Sequence, residues 1–171
     1  EQALAIKPDM VEALYNLGVV RHKQGDFALA LDTFRCALEL NPNYGPARWL
    51  YHLALPIFYS REEDIQACRD RFATNLGQLA RTTPLDTYQM RRNALDGVAA
   101  FTNFYLQYQG RDDLELQKAY GAFATRVMAA NFPQWSSNKP MPDIAPGERI
   151  RLGYVSSCMY GHTIGIFLLG W

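Results

Sequence analysis

The chain is poor in the residues that usually carry chemistry. Cys36, Cys68 and Cys158 are an odd number of cysteines at wide spacings with no CxxC pair, which excludes a zinc ribbon and a dithiol redox motif. They read as two thiols packed in helices and one in a loop, a usage that suits a reducing compartment. Charge of one sign is missing too: seventeen basic residues balance seventeen acidic ones. That leaves no electrostatic case for nucleic acid or an anionic membrane surface as partner. No apolar run approaches the ~20 residues that span a bilayer, and no signal peptide is visible. A cytoplasmic location is the expectation. Neither GxGxxG nor a Walker motif occurs, and Gly153 alone does not make a phosphate-binding loop.

Histidine is equally scarce. His22, His52 and His162 are the only ones, and no Cys, His or carboxylate cluster stands near them at ligand spacing. No metal and no bound cofactor are expected. His22 and His52 read as ordinary structural or surface histidines within helices. His162 differs in context, because it lies on a loop between two apolar runs.

What the chain does have is apolar and aromatic residues, 49% and 13% of its 171 positions, enough for a packed core in one ordinary domain or two small ones. It also has an internal repeat. Ala3, Leu4, Pro8 and Ala13 recur 34 residues later as Ala37, Leu38, Pro42 and Ala47. Between them Leu14, Leu17, Gly18, Gly25, Ala30, Phe34, Ala37 and Pro42 stand where a tetratricopeptide repeat has its consensus residues, and the segment resembles that family. The physical reasons are visible. Gly18 and Ala30 are small where two antiparallel helices approach, while Leu14, Leu17 and Phe34 fill the space between them. Gly25-Asp26 makes the turn, and Pro42 follows the second helix, which it cannot continue. Residues 1–8 read as the tail of an earlier repeat, with more repeats expected upstream. After Asn43 the pattern degrades: Arg48, Tyr51 and His52 replace the expected Leu, Leu and Gly, and Pro56 interrupts.

Three further helices are expected from their caps and apolar faces. Ser60 with Glu63 forms a capping box ahead of Ile65, Cys68, Phe72, Leu76 and Leu79. Thr83-Pro84 with Asp86 starts the next, with Leu95, Val98, Phe101 and Tyr105 on its buried face. Asp112 with Glu115 opens the third, which carries Leu116, Tyr120, Phe123 and Val127 and ends near Asn131. The aromatic density at residues 101–108 invites a ligand-binding reading, but at helical spacing it reads first as packing. Residues 131–147 hold four prolines, two serines and one glycine, the composition of a linker.

Beyond the linker, Ile150, Leu152, Tyr154 and Val155 read as a short buried strand. Ser156 and Ser157, a loop with Gly161 and His162, and an apolar run over 164–171 follow. The stretch Ile150-Arg-Leu-Gly-Tyr-Val-Ser-Ser, with His162 downstream and repeats before it, is similar to the start of the catalytic region of O-linked N-acetylglucosamine transferases. The region with Leu55-Pro56-Ile57, Tyr59, Glu62-Glu63 and Asn103-Phe104-Tyr105-Leu106 looks like the bacterial, especially cyanobacterial, branch. The resemblance implies a GT-B architecture of two Rossmann-like lobes and inverting transfer from a nucleotide sugar, a UDP-sugar, to a protein hydroxyl. The repeats would present the acceptor protein. His162 matches the family's active-site histidine, which positions or deprotonates the acceptor. Cys158 stands where the family often has an acidic residue, and Thr163 and Ile166 replace its usual proline and second histidine.

The expected fold is mainly α: repeats over 1–55, a helical adaptor over 56–132, a linker over 133–147, and the start of an N-terminal catalytic lobe over 148–171. A nucleotide-binding lobe would lie beyond Trp171, so the fragment alone is expected to be inactive. The alternative reading is a tetratricopeptide scaffold for protein–protein interaction with no catalytic activity.

Overall fold

A computed structural model of the chain describes residues 10–137, 143, 147–149, 153–156, 160 and 162–169. The chain divides into two compact units, Glu1–Ser137 and Asn138–Trp171. In the first unit the described residues form helices α1 (Val11–Gln24), α2 (Phe27–Leu40), α3 (Gly45–Leu53), α4 (Glu62–Thr82), α5 (Tyr88–Ala100) and α6 (Leu114–Asn131), with 3-10 turns at Phe104–Gln109 and Pro133–Trp135. The second unit contributes α7 (Thr163–Leu169). The expected tail of an earlier repeat, at 1–8, lies outside the described residues.

The first two helices form the expected hairpin. Gly25 adopts φ +90°, the left-handed conformation that glycine takes without penalty. There the Asp26 N–H reaches back to the Arg21 carbonyl at 3.0 Å, closing α1 in a Schellman-type end. The helices meet where Gly18 faces the Phe34 ring, so close that a Cβ on Gly18 would lie 2.5 Å from Phe34 Cε1. Ala30, Phe34 and Ala37 are fully buried here and Val11, Leu14, Tyr15 and Val19 pack around them. Burying a ring the size of Phe34 contributes about 2–3 kcal/mol. Across the hairpin, Arg21 Nη1 donates to Thr33 Oγ1 at 2.7 Å.

Helix α3 carries two faces into two cores. Ala47 is buried against the hairpin with Leu50 and Tyr51 beside it, while Trp49 and Leu53 are buried in a larger cluster with Phe72, Leu76, Leu79, Ala94, Leu106, Phe123 and Val127. Trp49 stacks on Phe123 with ring centroids 5.2 Å apart at 14°. The main neighbour of α3 in that cluster is α5 rather than the next helix in the chain. Two glycines make this possible. A Cβ on Gly45 would lie 1.7 Å from the Asn93 carbonyl oxygen, and one on Gly97 would lie 2.3 Å from the Trp49 ring. Backbone therefore lies against backbone at one point and indole against backbone at the other.

The degenerate repeat helix is short because Pro56 disfavours helix at Leu55. Its exposed carbonyls are taken by α4. Arg71 donates to the Tyr51, His52 and Ala54 carbonyls, and Asn75 Nδ2 donates to the His52 carbonyl at 3.0 Å. Helix α4 is tied to α6 by a buried ion pair. Arg69 Nη1 donates to Asp113 Oδ1 at 2.7 Å and to Gln109 Oε1 at 2.9 Å, and its Nη2 reaches the Asp112 carbonyl at 2.6 Å.

Several expected helix starts shift. Helix α4 begins at Glu62 with Arg61 at the cap position and no side-chain cap bond, so the Ser60–Glu63 capping box does not form. Instead Arg61 pairs with Asp64 at 2.8 Å, and the first-turn acids Glu62, Glu63 and Asp64 meet the positive helix end. Thr83 closes α4 rather than opening α5, its hydroxyl donating to the Leu79 carbonyl at 2.7 Å. The cap of α5 is Thr87, whose side chain accepts from the Met90 N–H at 3.2 Å. Helix α6 runs from Leu114 to Asn131, close to expectation, with Phe123 and Val127 buried.

No strand forms among the described residues of the second unit. The expected strand at 150–155 is described only for Gly153, Tyr154 and Val155, which carry no regular secondary structure, and Ile150 and Leu152 lie outside the described residues. Tyr154 is 53% and Val155 100% exposed, the opposite of a buried strand. A strand needs a ladder partner for its N–H and C=O groups, and no described segment of this unit supplies one. The regular secondary structure of the described residues is all helical, and it does not show the Rossmann-like start of the expected fold.

Candidate functional site

Helix α1 lines up Tyr15, Val19, His22 and Lys23 at i, i+4, i+7 and i+8, which puts them on one face of a 3.6-residue helix. Opposite them stand Leu50 on α3 and Ala54 and Leu55 just after it. The third wall is the segment that leaves α5, with Ala100, Phe101, Thr102 and Tyr105. Together these residues enclose a cavity of about 310 Å³. That volume suits one large side chain or a short extended peptide segment.

The floor is ordered by aromatic contacts. Tyr15 meets Tyr44 edge-on at 5.7 Å and lies 6.2 Å from Phe34, so the repeat's own core holds it in place. Burial pushes the Tyr15 phenol above its ordinary pKa, keeping it a neutral donor and acceptor. His22 closes one end. Its Nε2 lies 2.7 Å from the Leu55 carbonyl, which only accepts, so Nε2 carries the proton. The ring also meets Tyr105 edge-on at 5.9 Å. His22 thus ties the repeat to the segment beyond it, a structural role as its sequence context suggests. Lys23 is exposed at the rim, and no arginine, aspartate or glutamate lines the cavity.

The aromatic stretch 101–108 splits between packing and lining. Helix α5 stops at Ala100, and Phe101 is extended at φ −129° and ψ 143°. A continuous helix would stack Phe101 and Tyr105 on one face. The break instead lets Phe101 reach Tyr120 at 5.8 Å while Tyr105 reaches His22. Leu106 is buried, and Phe104 and Tyr108 are 55% and 69% exposed.

His52 also sits in the degenerate repeat. Burial lowers its pKa to about 4, with the Arg48 and Arg71 charges adding to the effect. Its Nδ1 is buried without a hydrogen-bond partner. This is a neutral, packed histidine, again in keeping with the structural reading. His162 lies in the second unit, exposed, immediately before α7, where its carbonyl accepts from the Ile166 N–H at 2.9 Å. Its ring lies 6.0 Å from that of Tyr160. Of the motif leading to it, Ser156 is described and Ser157, Cys158 and Gly161 lie outside the described residues.

Among the described residues no group of His, Cys, Asp and Glu is arranged to hold a metal ion. No described helix is long and apolar enough to cross a membrane. Sequence reasoning missed Tyr15, Val19, Lys23, Leu50, Ala54, Leu55 and Thr102 as lining residues. The stripe on α1 was readable, but the walls that turn it into a cavity come from residues up to ninety positions away.

No solved structure matches the chain. The family model of the tetratricopeptide repeat matches residues 11–44, which are α1, its glycine turn, α2 and the segment up to the start of α3. The chain carries a tetratricopeptide repeat, set in a helical unit whose later helices complete one wall of the repeat's cavity.

Proposed function

We propose that the first unit is a protein–protein interaction module that holds a short segment of a partner protein in the cavity between α1, α3 and residues 100–105. The observation that supports this reading most is the cavity's position on the first helix of the repeat, with an apolar and aromatic floor and polar groups at its ends. Apolar walls supply burial, and Tyr15, Thr102 and Lys23 supply the few directional contacts that fix register.

The test is selection of peptides from a random displayed library on the immobilised chain, followed by fluorescence anisotropy with the selected sequences. Tyr105→Ala and Val19→Gln are expected to weaken binding about tenfold or more, as loss of a central anchor does. Selected peptides that bind wild type and both variants equally would remove the cavity from the interaction.

A second reading rests on the sequence resemblance of residues 150–162 and extends the first. Here the chain is part of a glycosyltransferase that moves a sugar from a nucleotide sugar, a UDP-sugar, to a hydroxyl of the protein held by the repeat. His162 positions or deprotonates that hydroxyl, and an imidazole suits the task at neutral pH. The reading is supported by the order repeat, helical region, Gly153-Tyr154-Val155-Ser156 and His162 along one chain. In the full-length protein, His162→Ala is expected to lower transfer at least about 100-fold while donor binding persists. Wild-type turnover in that variant, or no binding of nucleotide sugars by the full-length protein, refutes it.

A further inference from the structure

A second cavity, of about 550 Å³, lies between the α1–α2 turn and the start of α4. Asp26, Phe27, Leu29, Phe58, Asp64 and Ala67 are among its lining residues. Two of them are large apolar side chains left in water, Phe58 at 78% and Leu29 at 52% exposure.

Phe58 is not exposed for want of an anchored backbone. The next residue, Tyr59, accepts a hydrogen bond at its hydroxyl from the buried Gln109 Nε2 at 2.5 Å, and Gln109 is held in turn by Arg69. Phe27 lies under the Arg71 guanidinium, 5.3 Å from ring centroid to Cζ, and that guanidinium is fixed on the carbonyls at the end of α3. The cavity therefore has a preformed apolar floor, which limits the ordering cost of filling it.

Its rim is acidic. Asp26 occupies the cap position of α2, yet its carboxylate makes no cap bond and pairs with no described side chain. Asp64 follows Glu62 and Glu63 in the first turn of α4, and no lysine or arginine lines the cavity. Arg61 answers Asp64, and Arg111 answers Glu62 at 2.7 Å. Asp26 is the one lining carboxylate left without a cationic partner, and Glu63, outside the lining, meets Arg61 at 3.8 Å. The start of α2, where Asp26 stands, offsets about half of its charge, and the start of α4 faces its own first-turn acids.

We infer that this cavity is a second docking surface, whose occupant is a segment of another protein presenting an apolar side chain flanked by lysine or arginine. The apolar side chain covers Phe58 and Leu29, and the basic group meets Asp26. Acidic or phosphorylated segments are repelled by the same rim. The surface is separate from the cavity on α1 and does not depend on that cavity's function.

The test is fluorescence anisotropy of the whole chain with three labelled peptides of about fourteen residues, a length that spans such a groove. One is built of leucine and lysine, one of leucine and glutamate, one of serine and lysine. Only the leucine–lysine peptide is expected to bind saturably. Phe58→Ala should weaken it about tenfold or more. Asp26→Asn should weaken it about threefold, a difference that high salt removes. Both positions are exposed, and an unchanged far-UV circular dichroism spectrum verifies the fold. Leu40→Ala, on an exposed residue at the far end of α2, should leave the affinity unchanged.

Four outcomes overturn the inference. They are unchanged affinity in Phe58→Ala, equal binding of the leucine–glutamate peptide, and loss of binding in Tyr105→Ala but not in Phe58→Ala, which moves the peptide to the first cavity. The fourth is a concentration-dependent dimer in sedimentation that Phe58→Ala dissociates, which assigns the surface to a second copy of this chain.

Discussion

Replacing glycine by alanine at five helical positions should change stability in opposite directions, with the sign set by what the new methyl group meets. In a helix interior the exchange is intrinsically favourable by about 0.5–1 kcal/mol, because glycine loses more backbone entropy on folding. Gly121 on α6 has nothing within 4 Å of its Cβ position, and at Gly77 on α4 the nearest atom is the mobile tip of Arg81 at 3.4 Å. Gly77→Ala and Gly121→Ala should therefore each stabilise the chain by about that amount. Gly45 is the opposite extreme. Its new Cβ would lie 1.7 Å from the Asn93 carbonyl oxygen and 3.0 Å from the Gly97 nitrogen, and both are backbone. No rotamer relieves that clash, so α3 and α5 would have to part along the seam that holds Trp49. Overpacking of this kind costs about 1–3 kcal/mol, and the rigid partner puts Gly45→Ala near the top, at about 3 kcal/mol. Gly97→Ala, against the Trp49 ring at 2.3 Å, and Gly18→Ala, against Phe34 at 2.5 Å, meet side chains that can tilt. Subtracting the helix gain leaves a net loss of about 1–2 kcal/mol at each. Urea unfolding followed by far-UV circular dichroism reads the series, with slopes unchanged and midpoints shifted. At this chain length about 1 kcal/mol corresponds to roughly 2–4 °C in Tm. Wild-type stability in Gly45→Ala, or destabilisation in Gly121→Ala, would refute the packing described for α3, α5 and α6.

Two further perturbations address the charges inside the first unit. His52 has a folded pKa of about 4 against 6.5 in the unfolded chain. Between those values the unfolded state binds the proton and the folded state does not, so stability should fall as pH drops from about 6.5 to 4. A shift of that size corresponds to at most about 3 kcal/mol. Urea midpoints across this range should fall less steeply in His52→Gln, and identical slopes in the two proteins would exclude His52 as the titrating group. Removing Asp113 leaves the Arg69 guanidinium buried with its Gln109 and Asp112 contacts only, because the pair is just 9% and 16% exposed. Asp113→Ala is expected to cost about 3 kcal/mol, and calorimetry showing a loss under about 1 kcal/mol would mean that water reaches Arg69.

How much was legible in the sequence varied with the range of the interaction. The hairpin was legible in detail, since Gly18, Gly25, Ala30, Phe34 and Pro42 act within a few turns of one another. Helix faces on α4 and α6 were legible from periodicity, and Phe72, Leu76, Leu79, Phe123 and Val127 are buried as expected. Helix starts were less so. Ser60 and Thr83 are good caps by residue type, yet Arg61 and Thr87 hold the cap positions, because α4 and α5 start where their apolar faces meet α3 and α6. The buried strand at 150–155 was read from apolar content alone, and Tyr154 and Val155 stand in water. The structural roles of His22 and His52 could be weighed from the absence of ligand partners. The catalytic role of His162 stays a matter of sequence resemblance.

By itself, then, the sequence determined a repeat hairpin and helices with defined apolar stripes. These are properties of spacing and composition, and spacing is local. The tertiary structure alone decided that α3 would pack on α5 through Gly45 and Gly97, and that residues 100–105 would close a cavity over α1. It also decided that Phe58 would be held in solvent beside an unpaired Asp26. Each of these depends on the mutual distance of residues tens of positions apart, which only the packed backbone fixes.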